Sequence, residues 1–136
     1  MYLLDTNILS DLIKRRPNRG LLSQLRSKAG RDLVTSCICV MELRFGSSLR
    51  EDSKRFWGKV ENEIISRVKV LSLGSAEALI AGDILARLRK TGQIIGIEDI
   101  LIAATALANQ CTIVTANVDH FSRIQGLVVE NWLAPL

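Results

Sequence analysis

The sequence predicts an α/β fold, with one parallel β-sheet covered by helices on both faces. Three observations predict it. Short apolar segments alternate along the chain with longer segments of helical periodicity. The run Cys111-Thr112-Ile113-Val114-Thr115 is rich in β-branched residues, as a buried strand requires. The stretch from Ile100 to Ala108 is apolar or small on every side, which suits a helix held inside the core. The full length of 136 residues is that of one domain, and residues 1–136 are expected to form a single unit.

The elements follow in order. Tyr2-Leu3-Leu4 is a short strand ending at Asp5, and Thr6 or Asn7 caps a helix running to about Arg16, stopped by Pro17. Leu21, Leu22 and Leu25 mark a second helix, closed near Gly30. Leu33-Val34-Thr35 reads as a strand, and Cys37 to Leu49 as a helix. Phe56, Val60 and Ile64 share helical spacing, and Val68 to Leu73 is the next strand. Ser75 caps a helix with Leu79, Ile80, Ile84 and Leu88 on its apolar face. The buried helix from Ile100, the strand at Cys111–Thr115 and a last strand at Leu127-Val128-Val129 complete the set. In such sheets ligands bind at the carboxyl ends of the strands, where the following helices begin.

Composition excludes much else. Hydrophobic residues at 48% and charged residues at 24% exclude a disordered or collagen-like chain. No apolar run reaches the ~18 residues of a membrane span. The start, MYLLDTN, lacks the basic and apolar regions of a secretory leader, and the three cysteines show no metal-site or paired spacing. Both point to a reducing, cytoplasmic setting. A single histidine, His120, removes HExxH zinc sites and every two-histidine mechanism. A Ser-His-Asp triad has no GxSxG turn to support it. Eighteen Lys and Arg against fourteen Asp and Glu give a net charge of +4, which suits a polyanionic partner.

Three carboxylates occupy apolar surroundings. Asp5 lies between Leu3-Leu4 and Ile8-Leu9, Glu42 has Ile38, Cys39, Phe45 and Gly46 on its helical face, and Asp99 shares a face with Ile102, Ala103 and Ala106. An isolated carboxylate in such a place costs several kcal/mol unless it is paired, protonated or bound to a metal. Singly, each has a plain alternative: Asp5 and Asp99 as helix caps, Glu42 as a partner of Arg44. Taken together, converging carboxylates repel one another, and a hard cation relieves the repulsion. Oxygen ligands without histidine or thiolate favour Mg²⁺ or Mn²⁺ over Zn²⁺.

LLDTN at 3–7, VMELRFG at 40–46, DILIAATALA at 99–108 and TIVTAN at 112–117 resemble the four motifs of PIN-domain ribonucleases. The likeness is nearest to VapC-type toxins of bacterial toxin–antitoxin pairs and extends through LVVENW at 127–132. No single motif is specific; their order and spacing are. The resemblance implies an α/β/α sandwich and a Mg²⁺-dependent endoribonuclease, with products bearing a 5′-phosphate and a 3′-hydroxyl. It implies an RNA substrate such as tRNA or rRNA, a small antitoxin protein and a homodimer. Asp5, Glu42 and Asp99 correspond to the family's metal-binding acids, with Thr6, Asn7 and Thr115 at supporting polar positions. A fourth acid often follows the TxN or TxD step. This chain has Asn117 there, with Asp119 two residues later, so either residue is a candidate to complete the shell.

Two rivals remain at this stage: a non-catalytic RNA-binding or scaffold protein of the same fold, and a phosphatase with an aspartyl nucleophile. The second usually needs an acid two residues after the nucleophile, where Asn7 stands. Lys14, Arg15, Arg16 and Arg19 form a basic cluster suited to RNA phosphates or to a solvated helix end. Cys37 and Cys39 read as core residues, Trp57 and Trp132 as packing or interface residues, and His120 as a surface-loop residue.

Overall fold

A computed structural model describes residues 1–135. Its centre is a five-stranded sheet in the order β3-β2-β1-β4-β5, with every neighbouring pair parallel. The strands are β1 (Tyr2–Leu4), β2 (Leu33–Ser36), β3 (Lys69–Leu71), β4 (Thr112–Val114) and β5 (Val129–Glu130). The helices are α1 (Thr6–Ile13), α2 (Arg19–Arg26), α3 (Cys37–Ser48), α4 (Ser53–Glu63), α5 (Ser75–Lys90), α6 (Ile97–Ala108) and α7 (Val118–Phe121). Leu3, Val34 and Ile113 are fully buried and Leu4 nearly so, as expected for strands covered on both faces.

The chain steps from β1 outward to β2 and β3, then crosses back to β4 on the other side of β1. Parallel crossovers are right-handed, so this reversal puts α1–α4 on one face and α5–α7 on the other. Most helix contacts follow this division, with α1 meeting α3 and α4, α3 meeting α4, and α6 meeting α5 and α7; α3 also meets α6, joining the two layers. The reversal also opens a crevice between the carboxyl ends of β1 and β4. No helix among the described residues is long and apolar enough to cross a membrane.

Local chemistry corrects several expected boundaries. The cap of α1 is Asp5, whose carboxylate accepts the Thr6 N–H at 2.8 Å; Thr6 and Asn7 are already helical. That helix stops at Ile13, short of Arg16, because Lys14 is extended and the Asp11 carboxylate takes the Asn18 N–H at 2.7 Å, folding the chain back. Gly74, not Ser75, precedes α5, and its N–H donates to Glu77 at 3.3 Å. Leu79 is 74% exposed and lies off the buried face that Ala81, Ile84 and Leu88 form. Helix α6 begins three residues earlier than its apolar run, which puts Asp99 inside the first turn and Gly96 at the cap.

The carboxyl-terminal segment packs back against β1 and the start of α2. Trp132 is buried against Tyr2 with ring centroids 5.1 Å apart, so its role is packing. Ala134 exchanges two hydrogen bonds with the Asn18 side chain at 2.9 and 3.0 Å. Glycine is needed at position 20, where a Cβ would lie 2.7 Å from that of Ala134.

Candidate metal centre

The crevice beside β1 and β4 is an acidic cavity lined by Asp5, Thr6, Asn7, Glu42, Asp99 and Asn117, with Ser10, Asp11 and Lys14 at its margin. Each principal acid arrives from a different element. Asp5 leaves the end of β1, Glu42 stands on the second turn of α3, and Asp99 stands on the first turn of α6. Asn117 follows β4 and begins α7.

Asp5 is the most enclosed of these, at 3% exposure. Its Oδ1 accepts the Thr6 N–H, and its Oδ2 accepts the Thr115 hydroxyl at 2.8 Å and the Asn7 amide at 3.4 Å. Asn7 in turn accepts the Ala116 N–H at 3.1 Å, and Thr115 accepts the Asn117 N–H at 3.0 Å. This mesh fixes the 115–117 loop against the start of α1. The supporting polar residues are therefore neighbours of Asp5 across 110 positions of sequence. Thr6 also donates its hydroxyl to Glu42 Oε1 at 2.6 Å, coupling α1 to α3.

Electrostatics follow from this crowding. Burial pushes the Asp5 carboxyl above its ordinary range; the Thr115 hydroxyl and Thr6 amide draw it down, and the charge of Asp99 raises it again. Burial likewise raises Glu42, opposed by the Thr6 hydroxyl and reinforced by Asp5, Asp99 and Glu98. Arg44 does not offset Glu42, because its guanidinium lies over the Trp57 ring, 4.8 Å from the centroid. No lysine or arginine among the described residues bridges to Asp5, Glu42 or Asp99, and His120 is the ring beside Asp99.

Ligand atoms of Asp5, Glu42 and Cys39 all lie within 4.8 Å of one another. Burial and the nearby Asp5 charge push the Cys39 thiol up, so it stays protonated, with Sγ 3.9 Å from Asp5 Oδ1. To ligate, the thiol would have to give up that proton beside the Asp5 carboxylate, and its soft sulfur matches a hard cation poorly. The available donors are then carboxylate and amide oxygens, a set that fits a hard divalent cation. Asp99 faces the same cavity from outside that trio. Its Oδ2 meets His120 Nδ1 at 2.9 Å, so the histidine read as a surface-loop residue is attached to the site. Nothing local in the sequence marks this contact, since it arises from the packing of α7 on α6. Asp11 also borders the cavity; the polar stripe Asn7, Ser10 and Asp11 at helical spacing, between Ile8-Leu9 and Leu12-Ile13, is the pattern that marks it. Asn117 lines the cavity, whereas Asp119 is exposed on α7 and is not among the lining residues.

A parallel sheet with carboxylate and amide oxygens gathered at its point of strand reversal defines an α/β domain with an acidic crevice at the carboxyl ends of its strands. The PIN domain family matches residues 2–127. Ribonuclease VapC2 of Haemophilus influenzae is 39% identical over 132 residues, covering 97% of this chain and 98% of that protein. The tRNA(fMet)-specific endonuclease VapC of Shigella flexneri is 32% identical over 131 residues, covering 96% and 97%. Among solved structures, VapBC2 from Rickettsia felis bound to a DNA fragment from its promoter matches with a TM-score of 0.89 at 31% identity, over 96% of this chain and 98% of that one. The chain belongs to the PIN-domain family and, within it, to the VapC type.

Proposed function

We propose that residues 1–136 form one Mg²⁺-dependent endoribonuclease domain. It hydrolyses RNA phosphodiester bonds as the toxin of a toxin–antitoxin pair, with Mn²⁺ able to substitute. The observation that carries this reading is one buried carboxylate, Asp5, with the half-buried Glu42 and Asp99 beside it at the β1/β4 crevice, supported by hydrogen bonds and without a lysine or arginine partner among the described residues. Asp5, Glu42 and Asp99 would hold the ion. Bound there, a divalent cation neutralises a phosphate and acidifies a water. The protein's part is positioning: Thr6 and Thr115 fix Asp5, Thr6 fixes Glu42, and His120 holds one oxygen of Asp99.

A tRNA substrate is supported by the Shigella flexneri relative, which is a tRNA(fMet)-specific endonuclease; rRNA is the other structured class. A small antitoxin partner is supported by the VapBC complexes among the structural relatives. We further assign a homodimer acting in the cytoplasm. Sequencing RNA ends after a brief pulse of expression tests the activity. New ends with a 5′-phosphate and a 3′-hydroxyl are expected, and an unchanged RNA population would overturn the reading.

The fourth ligand is assigned to Asn117 through its neutral oxygen, with Asp119 contributing at most through water. Asn117→Asp is expected to preserve cleavage and lower the Mg²⁺ concentration needed, since a fourth charge strengthens a hard-cation site. Asp119→Ala is expected to weaken activity less than Asp5→Asn does, with partial rescue by added Mg²⁺. Rate against Mg²⁺ for wild type and both variants checks this. Superimposable curves would leave Asp5, Glu42 and Asp99 as the whole protein-derived shell.

A further inference from the structure

The acidic cavity shares Thr6, Ser10, Lys14 and Glu42 with a larger cleft of about 810 Å³ between α1, α3 and α4. The charge changes sign along it. Beyond Glu42 the lining includes Arg50, Arg55 and Lys59, with Asp52 as the only further acid. Arg50 grips Asp52 through two nitrogens at 2.7 and 3.1 Å and lies over the Phe56 ring, 4.0 Å from the centroid. Arg55 reaches the same carboxylate at 3.0 Å while its side chain is 85% exposed. Lys59 donates to the Ile13 carbonyl at 3.1 Å, which anchors it at the end of α1.

One carboxylate therefore organises two guanidiniums without neutralising both. Arginines held in this way lose less side-chain freedom on binding, and each keeps N–H donors for an incoming anion. An RNA strand cut at the acidic end has to continue out of that end. The contiguous, cation-lined cleft offers it neutralisation without a second metal site.

We propose that this cleft is the track for the RNA backbone flanking the scissile phosphate, with Arg50, Arg55 and Lys59 contacting successive phosphates and Lys14 at the junction. This rests on the nuclease reading above. The test measures binding of a labelled short single-stranded RNA by fluorescence anisotropy across a range of NaCl, in an Asp5→Asn background that prevents cutting. Arg50→Gln/Arg55→Gln removes two charges while leaving a polar amide at each position. Binding should weaken about tenfold, and the slope of log affinity against log salt should flatten by about 1.4, at roughly 0.7 per lost phosphate contact. Arg89→Gln/Lys90→Gln on α5 removes the same charge on the other face and should leave the slope unchanged.

Equal losses from both pairs would reduce the effect to net charge and overturn the track. Unchanged binding by the cleft variant would also overturn it and assign the cleft to another occupant, such as an acidic protein segment. Wild-type protein is tested in parallel for cleavage of total RNA with Mg²⁺. Failure there, with the salt result intact, sinks the nuclease reading and reduces the track to an RNA-binding surface.

Discussion

Asp5→Asn is expected to abolish RNA cleavage while making the metal-free protein more resistant to heat. Both effects have one origin. Asp5 is 3% exposed and sits near Glu42 and Asp99, with no cation among the described residues bridging to it. Its charge is therefore costly in the resting protein and useful only when an ion is present. Asparagine keeps the shape and the oxygen that accepts the Thr6 N–H at 2.8 Å. Its amide takes the place of Oδ2, where the Thr115 hydroxyl oxygen can accept in place of donating, at the cost of the long 3.4 Å contact from the Asn7 amide. The fold should survive. Loss of several kcal/mol of transition-state stabilisation at about 1.4 kcal/mol per factor of ten means at least a hundredfold drop in rate. Melting of the metal-free protein should rise by about 3 °C or more. A folded variant that cleaves RNA at the wild-type rate would favour the scaffold alternative. A lower melting temperature would show that the hydrogen-bond mesh outweighs the charge.

Withdrawing the metal should have an effect of similar size, with a defined dependence on pH. Cleavage is expected to stop in EDTA and return with Mg²⁺ or Mn²⁺. In the stripped protein, Asp5 and Glu42 titrate above their ordinary values of 3.8 and 4.5. The folded state then holds protons that the unfolded chain has released, so stability falls as pH rises through that interval. The favourable contribution is complete below the ordinary values and is lost once pH passes the raised ones. A divalent cation replaces those protons, so its apparent affinity should increase with pH over the same interval. Thermal melts at several pH values, with EDTA or with Mg²⁺, read both effects. The separation between the two melting curves should widen toward neutral pH. Persisting activity in EDTA would remove the metal mechanism, and a constant separation would show that Asp5 and Glu42 are not what the ion displaces protons from.

Much of the fold is legible because its determinants are local. The β-branched run around Thr112–Val114 and the apolar faces of α6 specify a buried strand and a buried helix from neighbouring residues alone. The enclosed position of Asp5 is equally visible, whereas Glu42 shares its face with Phe45, which is 66% exposed, so periodicity overstated how apolar that face is. Element ends are less legible. Lys14 leaves the helix because Asp11 captures an amide from beyond it, and Leu79 faces outward because the packing of α5 selects a different stripe.

What only the tertiary structure decided is adjacency. Placing β1 between β2 and β4 brings Thr115 to Asp5 and opens the crevice, and that order depends on pairings between distant segments. The His120–Asp99 contact, the protonated Cys39 beside Asp5 and the cleft of Arg50, Arg55 and Lys59 have the same origin. The sequence determined which residues carry the charge and which faces are buried, because propensity and periodicity act over a few residues. The handed crossovers of the chain determined which of those charges meet, because only the closed sheet brings its distant segments within hydrogen-bonding reach.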